Sequence, residues 1–242
     1  PMRVQWDLTD ICNSKCQHCD RWKHKKHPDE LSTQECFKVI RELKETGVRA
    51  ISFAGAEPLL REDIFDLINY AIKLGFQTSM NTNALIMTKD KIEKLIDIGL
   101  GAVILSIDGN TAEIHDFIRG VKNSLKKNLE VVKIIKETRE RLGKKIDIQG
   151  TIVANSKNVN NLYDTVKMCK ESGFDKIIGN LLEKGIVYIG VSAGSIIMAP
   201  TIEVAGWKNL DHNVVSLQDL IAFFWGMNCI MMIFPRQVPE QP

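Results

Sequence analysis

The sequence predicts an α/β protein built on a parallel sheet, and two observations support this fold class. From Met2 to about Gly179, an amphipathic helix, a glycine and a short apolar strand follow one another repeatedly. Polar residues also gather directly after the strands. Strands that alternate with helices form parallel sheets with right-handed crossovers, either as a barrel or as an open doubly wound sheet. Because the active sites of parallel barrels lie at the C-terminal ends of their strands, the placement of the polar residues favours the barrel.

Each helix of this repeat has a recognisable beginning or end. The first helix is predicted to begin at the capping box Ser32-Thr-Gln-Glu35 and to turn apolar residues such as Ile40 inward before it ends at Gly47. Glycine suits the left-handed backbone position that follows a helix. Four further helices are predicted to end at Gly75, Gly99, Gly143 and Gly173. The strands are predicted at 4–8, 50–53, 76–80, 102–107, 146–153 and 174–178.

Length and composition narrow the class of protein. The 242 residues suffice for one large domain or somewhat more, and the net charge of +2 gives no reason to expect nucleic acid or a membrane as a partner.

The longest uncharged run, 220–235, falls short of the roughly 20 residues that a membrane helix needs. No secretory signal is recognised, and the proline before Met2 suggests that residue 1 is not the natural start. Six cysteines without a disulfide-like pattern predict a reducing, cytoplasmic location.

Three cysteines directly after the first strand form the most informative motif. Cys12, Cys16 and Cys19 have the spacing C-x3-C-x2-C. A structural zinc site uses four protein ligands, so these three thiols are one too few, whereas a 4Fe–4S cluster held by three thiolates keeps one iron open for chemistry. The alternative is a non-catalytic zinc module completed by His18 or His24. Colour would separate the two, because zinc proteins are colourless and iron–sulfur proteins are brown.

Three segments together resemble the motifs of one enzyme family. The stretch from Trp6 to Cys19 resembles its cluster motif, and Gly55-Ala-Glu-Pro58 resembles its Gly-Gly-Glu-Pro motif. The stretch 106–109, Ser-Ile-Asp-Gly, followed by 115–120, His-Asp-Phe-Ile-Arg-Gly, resembles the segment after its fourth strand. On these residues the chain resembles the radical S-adenosylmethionine (SAM) enzymes. The resemblance covers roughly residues 1–179 and implies a partial (β/α)6 TIM-like barrel.

The resemblance implies a set of contacts and a reaction. Cys12, Cys16 and Cys19 would hold the 4Fe–4S cluster, and SAM would chelate the open iron. Further contacts to SAM are expected from the backbone of Gly55 and Ala56, the Glu57 carboxylate at the amine, Asn83, Ser106 and Asp108 at the ribose or carboxylate, Arg119 at the carboxylate, and His18 near the adenine. Reductive cleavage would give a 5′-deoxyadenosyl radical that takes a hydrogen atom from an unidentified small-molecule or peptide substrate. The expected electron donor is a flavodoxin or a ferredoxin.

One residue departs from the family's pattern. Ala56 stands where the family has its second glycine. If this position needs a positive φ, alanine adds strain of about 1 kcal/mol or more and weakens cofactor binding.

The last part of the chain has a different character. Gly190-Val-Ser192-Ala-Gly194 fits the G-x-S-x-G pattern of a nucleophile elbow, a strand-to-helix turn that exposes the serine. The surrounding stretch resembles the aspartyl-dipeptidase and cyanophycinase-like serine peptidases, which use Ser, His and an acidic residue on a Rossmann-like sheet. Where a Pro-His pair is expected, the chain has Pro235-Arg236, and arginine cannot accept the serine proton. A plain turn is therefore favoured over a hydrolase that uses Ser192, and labelling by a fluorophosphonate probe would separate the two.

These two resemblances predict a composite chain. Residues 1–179 are expected to form the partial barrel, and residues 180–242 a fragment of a Rossmann-like α/β fold. Recombination or an error of gene assembly would produce such a chimera.

Overall fold

The computed structural model describes residues 3–177 together with the strands at 188–191, 194–197 and 230–233. The strands are β1 Arg3–Asp7, β2 Ala50–Ala54, β3 Gln77–Thr82, β4 Ala102–Ser106, β5 Asp147–Thr151, β6 Lys176–Ile177, β7 Tyr188–Val191, β8 Gly194–Ile197 and β9 Ile230–Ile233. The helices are α1 Thr33–Glu45, α2 Ile64–Lys73, α3 Lys89–Ile98, α4 Ala112–Arg119, α5 Ser124–Leu142 and α6 Leu162–Ser172. Short 3-10 turns lie at Arg21–Lys23, Pro58–Leu60 and Val159–Asn161.

One parallel sheet organises the described part of the chain. Its strand order is β6-β5-β4-β3-β2-β1-β9, and every neighbouring pair is parallel. In a doubly wound sheet the strand order reverses at a switch point, whereas β1 to β6 follow one another without reversal. This order confirms the partial (β/α)6 TIM-like barrel. Strand β9 lies on the other side of β1, with Arg3 opposite Ile230.

Helix α1 shows how the sequence fixes these elements locally. The Ser32 side chain accepts the Glu35 amide and the Glu35 carboxylate accepts the Ser32 amide, so the predicted capping box is present. Ile40 and Leu43 face the core and are buried. Left-handed glycines cap the ends of α3, α5 and α6 at Gly99, Gly143 and Gly173, as predicted.

The hydrophobic core lies between the sheet and these helices. All five residues of β2 are buried, which is the pattern of a strand covered on both faces. The largest fully buried side chains include Phe53, Ile64, Leu67, Met80 and Leu95. Within the described ranges, each helix is too short or too polar to cross a bilayer.

Two elements differ from the sequence prediction. Helix α4 is a separate eight-residue helix that the pattern of helix-ending glycines did not distinguish from the longer helix after it. The residues after position 193 form β8, which pairs antiparallel with β7 and places Gly194 opposite Val191. Gly194–Ile197 thus form a strand, where the G-x-S-x-G pattern predicts the start of a helix.

Candidate functional site

The cysteine motif lies in the loop that follows β1, here called the cysteine loop (residues 8–20). Cys16 is buried, and Cys12 and Cys19 are half-buried. The Ser14 amide donates to the Cys12 sulfur at 3.4 Å, and the Cys16 thiol donates to the Ser14 hydroxyl at 3.5 Å. Burial raises the pKa of the Cys12 thiol. All three cysteines are free thiols.

The segment after β2 lies against the beginning of the cysteine loop. The Ala56 amide donates to the Thr9 carbonyl and the Glu57 amide to the Ile11 carbonyl, both at 3.0 Å. Gly55 has φ +115°, and a Cβ there would lie 2.8 Å from the Thr9 carbonyl oxygen. Gly55 therefore allows the close approach of the two backbones. Ala56 is not among the residues with positive φ, so the condition for the strain considered above is not met.

Glu57 is fully buried and forms the centre of a hydrogen-bond cluster. Its carboxylate accepts the Thr82 hydroxyl at 2.8 Å, the Asn83 amide at 2.8 Å and the Leu59 amide at 3.2 Å. Burial raises the pKa of the Glu57 carboxyl, against the effect of these three donors. Glu57 thus holds the end of β3 beside the segment after β2.

Asn83 extends this connection to the cysteines. Its side-chain amide donates to Asn13 Oδ1 at 2.7 Å and lies 3.8 Å from the Cys12 sulfur. The ends of β1, β2 and β3 therefore converge, as the placement of polar residues after the strands predicted.

A buried ion pair lies after β4. Arg119 Nη1 is 3.2 Å from Asp108 Oδ2, and only 8% of Arg119 and 1% of Asp108 are exposed. Asp108 Oδ1 also accepts the Val153 amide at 2.9 Å. Burial lowers the pKa of Arg119, but the neighbouring Asp108 carboxylate raises it, so that the pKa lies above its ordinary value and the guanidinium stays charged. The Ser14 hydroxyl in the cysteine loop donates to the Arg119 carbonyl at 3.0 Å. Ser106 is the half-buried last residue of β4.

His18 and His115 are both held neutral by burial. Burial lowers the pKa of His18, and its buried Nδ1 has no hydrogen-bond partner in the part of the chain that the structure describes. A buried polar atom without a partner is expected to meet a ligand or a water molecule. Burial lowers the pKa of His115 to about 4. His115 Nδ1 accepts the Asp108 amide at 3.1 Å, and Nε2 lies 3.1 Å from the Ser124 hydroxyl.

The structure brings together nearly all the residues that the sequence singled out, and sequence reasoning missed one group. Asn13, Ser14, His115 and Asn128 join the site through hydrogen bonds. Asn13 and Ser14 lie within the cluster motif and His115 within the stretch 115–120, but the sequence assigned them no contact, and Asn128 lies outside the motifs. Among the described residues, no three His, Cys, Asp or Glu side chains lie close enough to hold a single metal ion. Ser192 and Arg236 lie outside the described residues, and the role of Ser192 stays a prediction.

Comparison with known proteins identifies the enzyme family to which this fold and the three-cysteine motif belong. The sequence model of the Radical SAM superfamily matches residues 6–146, more than half of the chain. The chain belongs to the radical SAM superfamily. The model of Peptidase family S51 matches residues 106–223. Its first part, 106–146, overlaps the radical SAM match in a region that contains the last residue of β4 and the helices α4 and α5 of the barrel.

Curated relatives and a solved structure agree with this family. The AdoMet-dependent heme synthase of Oleidesulfovibrio alaskensis is 31% identical over 171 residues, which are 70% of this chain and 42% of that protein. The PqqA peptide cyclase of Bradyrhizobium diazoefficiens is 30% identical over 180 residues, 73% of this chain and 45% of that protein. The crystal structure of Streptococcus suis SuiB bound to S-adenosylmethionine has a TM-score of 0.61 and 22% identity, covering 73% of this chain and 40% of that one. The chain spans less than half the length of these proteins.

Proposed function

We propose that this chain binds a 4Fe–4S cluster through Cys12, Cys16 and Cys19 and cleaves SAM reductively. The observation that carries the proposal is the convergence of three free thiols with a buried cation and a buried carboxylate at the ends of consecutive parallel strands. Bound there, the cluster would pass one electron to the SAM sulfonium, and cleavage of the carbon–sulfur bond would give methionine and a 5′-deoxyadenosyl radical.

The donor set fits such a cluster. Thiolates that hold iron–sulfur clusters accept hydrogen bonds, which tune the cluster's potential. Cys12 already lies within reach of the Ser14 and Asn83 nitrogens. Because the loop offers three cysteines for four irons, one iron of the cluster would remain for an outside ligand.

The surrounding residues would bind and orient SAM. Glu57 is proposed to accept the methionine ammonium together with the backbone carbonyls of Gly55 and Ala56. Arg119 is proposed to bind the carboxylate, because a buried guanidinium suits a planar anion. The unpartnered Nδ1 of His18 supports its proposed place near the adenine.

Ser106, Asn83 and Asp108 are the proposed contacts to the ribose or the carboxylate. Both Asp108 oxygens already accept hydrogen bonds within the protein, from Arg119 and Val153. Asp108 would therefore share its oxygens between these donors and a ribose hydroxyl.

The proposed overall reaction removes a hydrogen atom from a substrate and gives 5′-deoxyadenosine. A peptide or a small molecule is proposed as the substrate, since the relatives include both a peptide cyclase and a heme synthase. A flavodoxin or a ferredoxin is the proposed one-electron donor. The free cysteines support a reducing cytoplasmic location. Residues 1–179 are proposed as the unit that performs this reaction.

Electron paramagnetic resonance of the reconstituted protein tests the proposal. After anaerobic reconstitution and reduction with dithionite, we expect the signal of a reduced 4Fe–4S cluster, and addition of SAM should change its g values. A Cys16→Ala variant should lack the signal. A signal that SAM leaves unchanged, or bound zinc in place of iron, would contradict the proposal.

A further inference from the structure

The C-terminal end of helix α4 is capped by the cysteine loop. The last carbonyl groups of a helix have no partner within the helix and need outside donors. The Asp116 and Phe117 carbonyls accept amides from the residues that follow α4. The remaining two are satisfied by the cysteine loop: the Gln17 amide donates to the Ile118 carbonyl at 2.8 Å, and the Ser14 hydroxyl donates to the Arg119 carbonyl at 3.0 Å.

Gly120 makes this contact possible. It follows α4 in the left-handed region with φ +64°, and a Cβ there would lie 2.1 Å from the Lys15 carbonyl oxygen and 2.7 Å from the Lys15 carbonyl carbon. Real Cβ atoms essentially never approach another atom this closely. Because the obstacle is backbone rather than the end of a flexible side chain, any larger residue must push the cysteine loop away from α4.

The same helix end carries Arg119. The carbonyl of Arg119 holds Ser14, while its side chain pairs with Asp108 after β4. Ser14 in turn accepts the Cys16 thiol and donates its amide to Cys12. The end of α4 therefore joins the cysteine loop to Arg119, the proposed contact to the carboxylate of SAM.

We propose that Gly120 and the C-terminal end of α4 form a dock that positions the cysteine loop for cluster binding. Gly120 is a positioning residue, since it acts through the loop. The cluster part of this inference rests on the function proposed above. The docking of the loop itself is a property of the metal-free chain and can be measured separately.

Gly143 supplies a matched control. It follows α5 with φ +62°, and a Cβ there would meet no atom of the described residues within 4 Å. Alanine at either position carries the same backbone strain at a helix end. Only Gly120→Ala also collides with the cysteine loop, so the difference between the two variants isolates the dock.

The first measurement is hydrogen–deuterium exchange of the metal-free protein. In Gly120→Ala we expect the peptide that covers residues 12–19 to exchange about tenfold faster than in Gly143→Ala, because the Gln17 amide loses its acceptor. Equal exchange of this peptide in the two variants would overturn the proposal. If Gly120→Ala does not fold, Ser14→Ala, which removes the hydroxyl donor to Arg119, must raise exchange of the same peptide above wild type or the proposal fails.

The second measurement is cluster retention. After reconstitution and addition of an iron chelator, we expect the iron–sulfur absorption of Gly120→Ala to decay about tenfold faster than that of Gly143→Ala, since the loop is held less firmly. Half-times within twofold of each other would contradict the positioning role. If the wild type binds no cluster, the proposed function fails, while the exchange experiment still decides whether the dock exists.

Discussion

Acid should destabilise the folded chain through His115. The His115 pKa is about 4 in the folded protein and 6.5 in a model peptide. Between these two pH values the unfolded chain binds a proton at His115 and the folded chain does not. The contribution of the neutral, buried His115 to stability is therefore complete above pH 6.5 and is lost as the pH falls toward 4. Linkage gives a loss of about 2 kcal/mol between pH 8 and pH 5.

His115→Asn isolates this effect. Asparagine offers an oxygen near the position of Nδ1 to accept the Asp108 amide, and it does not titrate. The free energies of unfolding are measured by urea denaturation of the metal-free proteins. The value of wild type minus the value of His115→Asn should be about 2 kcal/mol lower at pH 5 than at pH 8. Glu57, whose raised pKa has the opposite sign of pH dependence, is present in both proteins and cancels. The exposed His27 supplies the matched surface control, and His27→Asn should leave the free energy of unfolding at pH 8 within about 0.5 kcal/mol of wild type. An equal gap between wild type and His115→Asn at both pH values would refute the reasoning.

Two further predictions concern Glu57 and the cysteines outside the motif. Glu57→Ala should lower the free energy of unfolding by about 3 kcal/mol, because three buried donors lose their acceptor. Glu137→Ala, at an exposed position, is the control. A urea midpoint of Glu57→Ala close to that of Glu137→Ala would count against this prediction. Cys36 and Cys169 should resist iodoacetamide at pH 8 in the native chain, because burial raises their pKa values to about 11 and about 12. Peptide mapping that finds Cys169 labelled as fast as the half-buried Cys19 would show this to be wrong.

Local signals in the sequence were enough to place most elements. The capping box at Ser32 and the glycines at 99, 143 and 173 act within a few residues of the chain, so they could be read before the structure was known. The parallel sheet followed from the alternation of helix and strand, because parallel strands need a crossover connection, and the polar residues after the strands favoured the consecutive strand order of a barrel.

The contacts within the site depend on approaches between distant segments, and the sequence could not supply them. Asp108 and Arg119 were predicted as separate contacts to the cofactor, but they form an ion pair because α4 packs its C-terminal end beside the end of β4. Gly120 belongs to the motif 115–120, but no local signal in the sequence places it against the Lys15 carbonyl, 105 residues away in the chain. Whether Ala56 needs a positive φ was equally a question of backbone geometry, which the structure answers.

Formation of 5′-deoxyadenosine tests the central claim most directly. The reconstituted protein is incubated anaerobically with SAM and dithionite, and the products are quantified by liquid chromatography and mass spectrometry. The account predicts 5′-deoxyadenosine and methionine in equal amounts from the wild type and from His27→Asn, and neither product above background from Cys16→Ala. A brown protein that carries the cluster, binds SAM and releases no 5′-deoxyadenosine would contradict it.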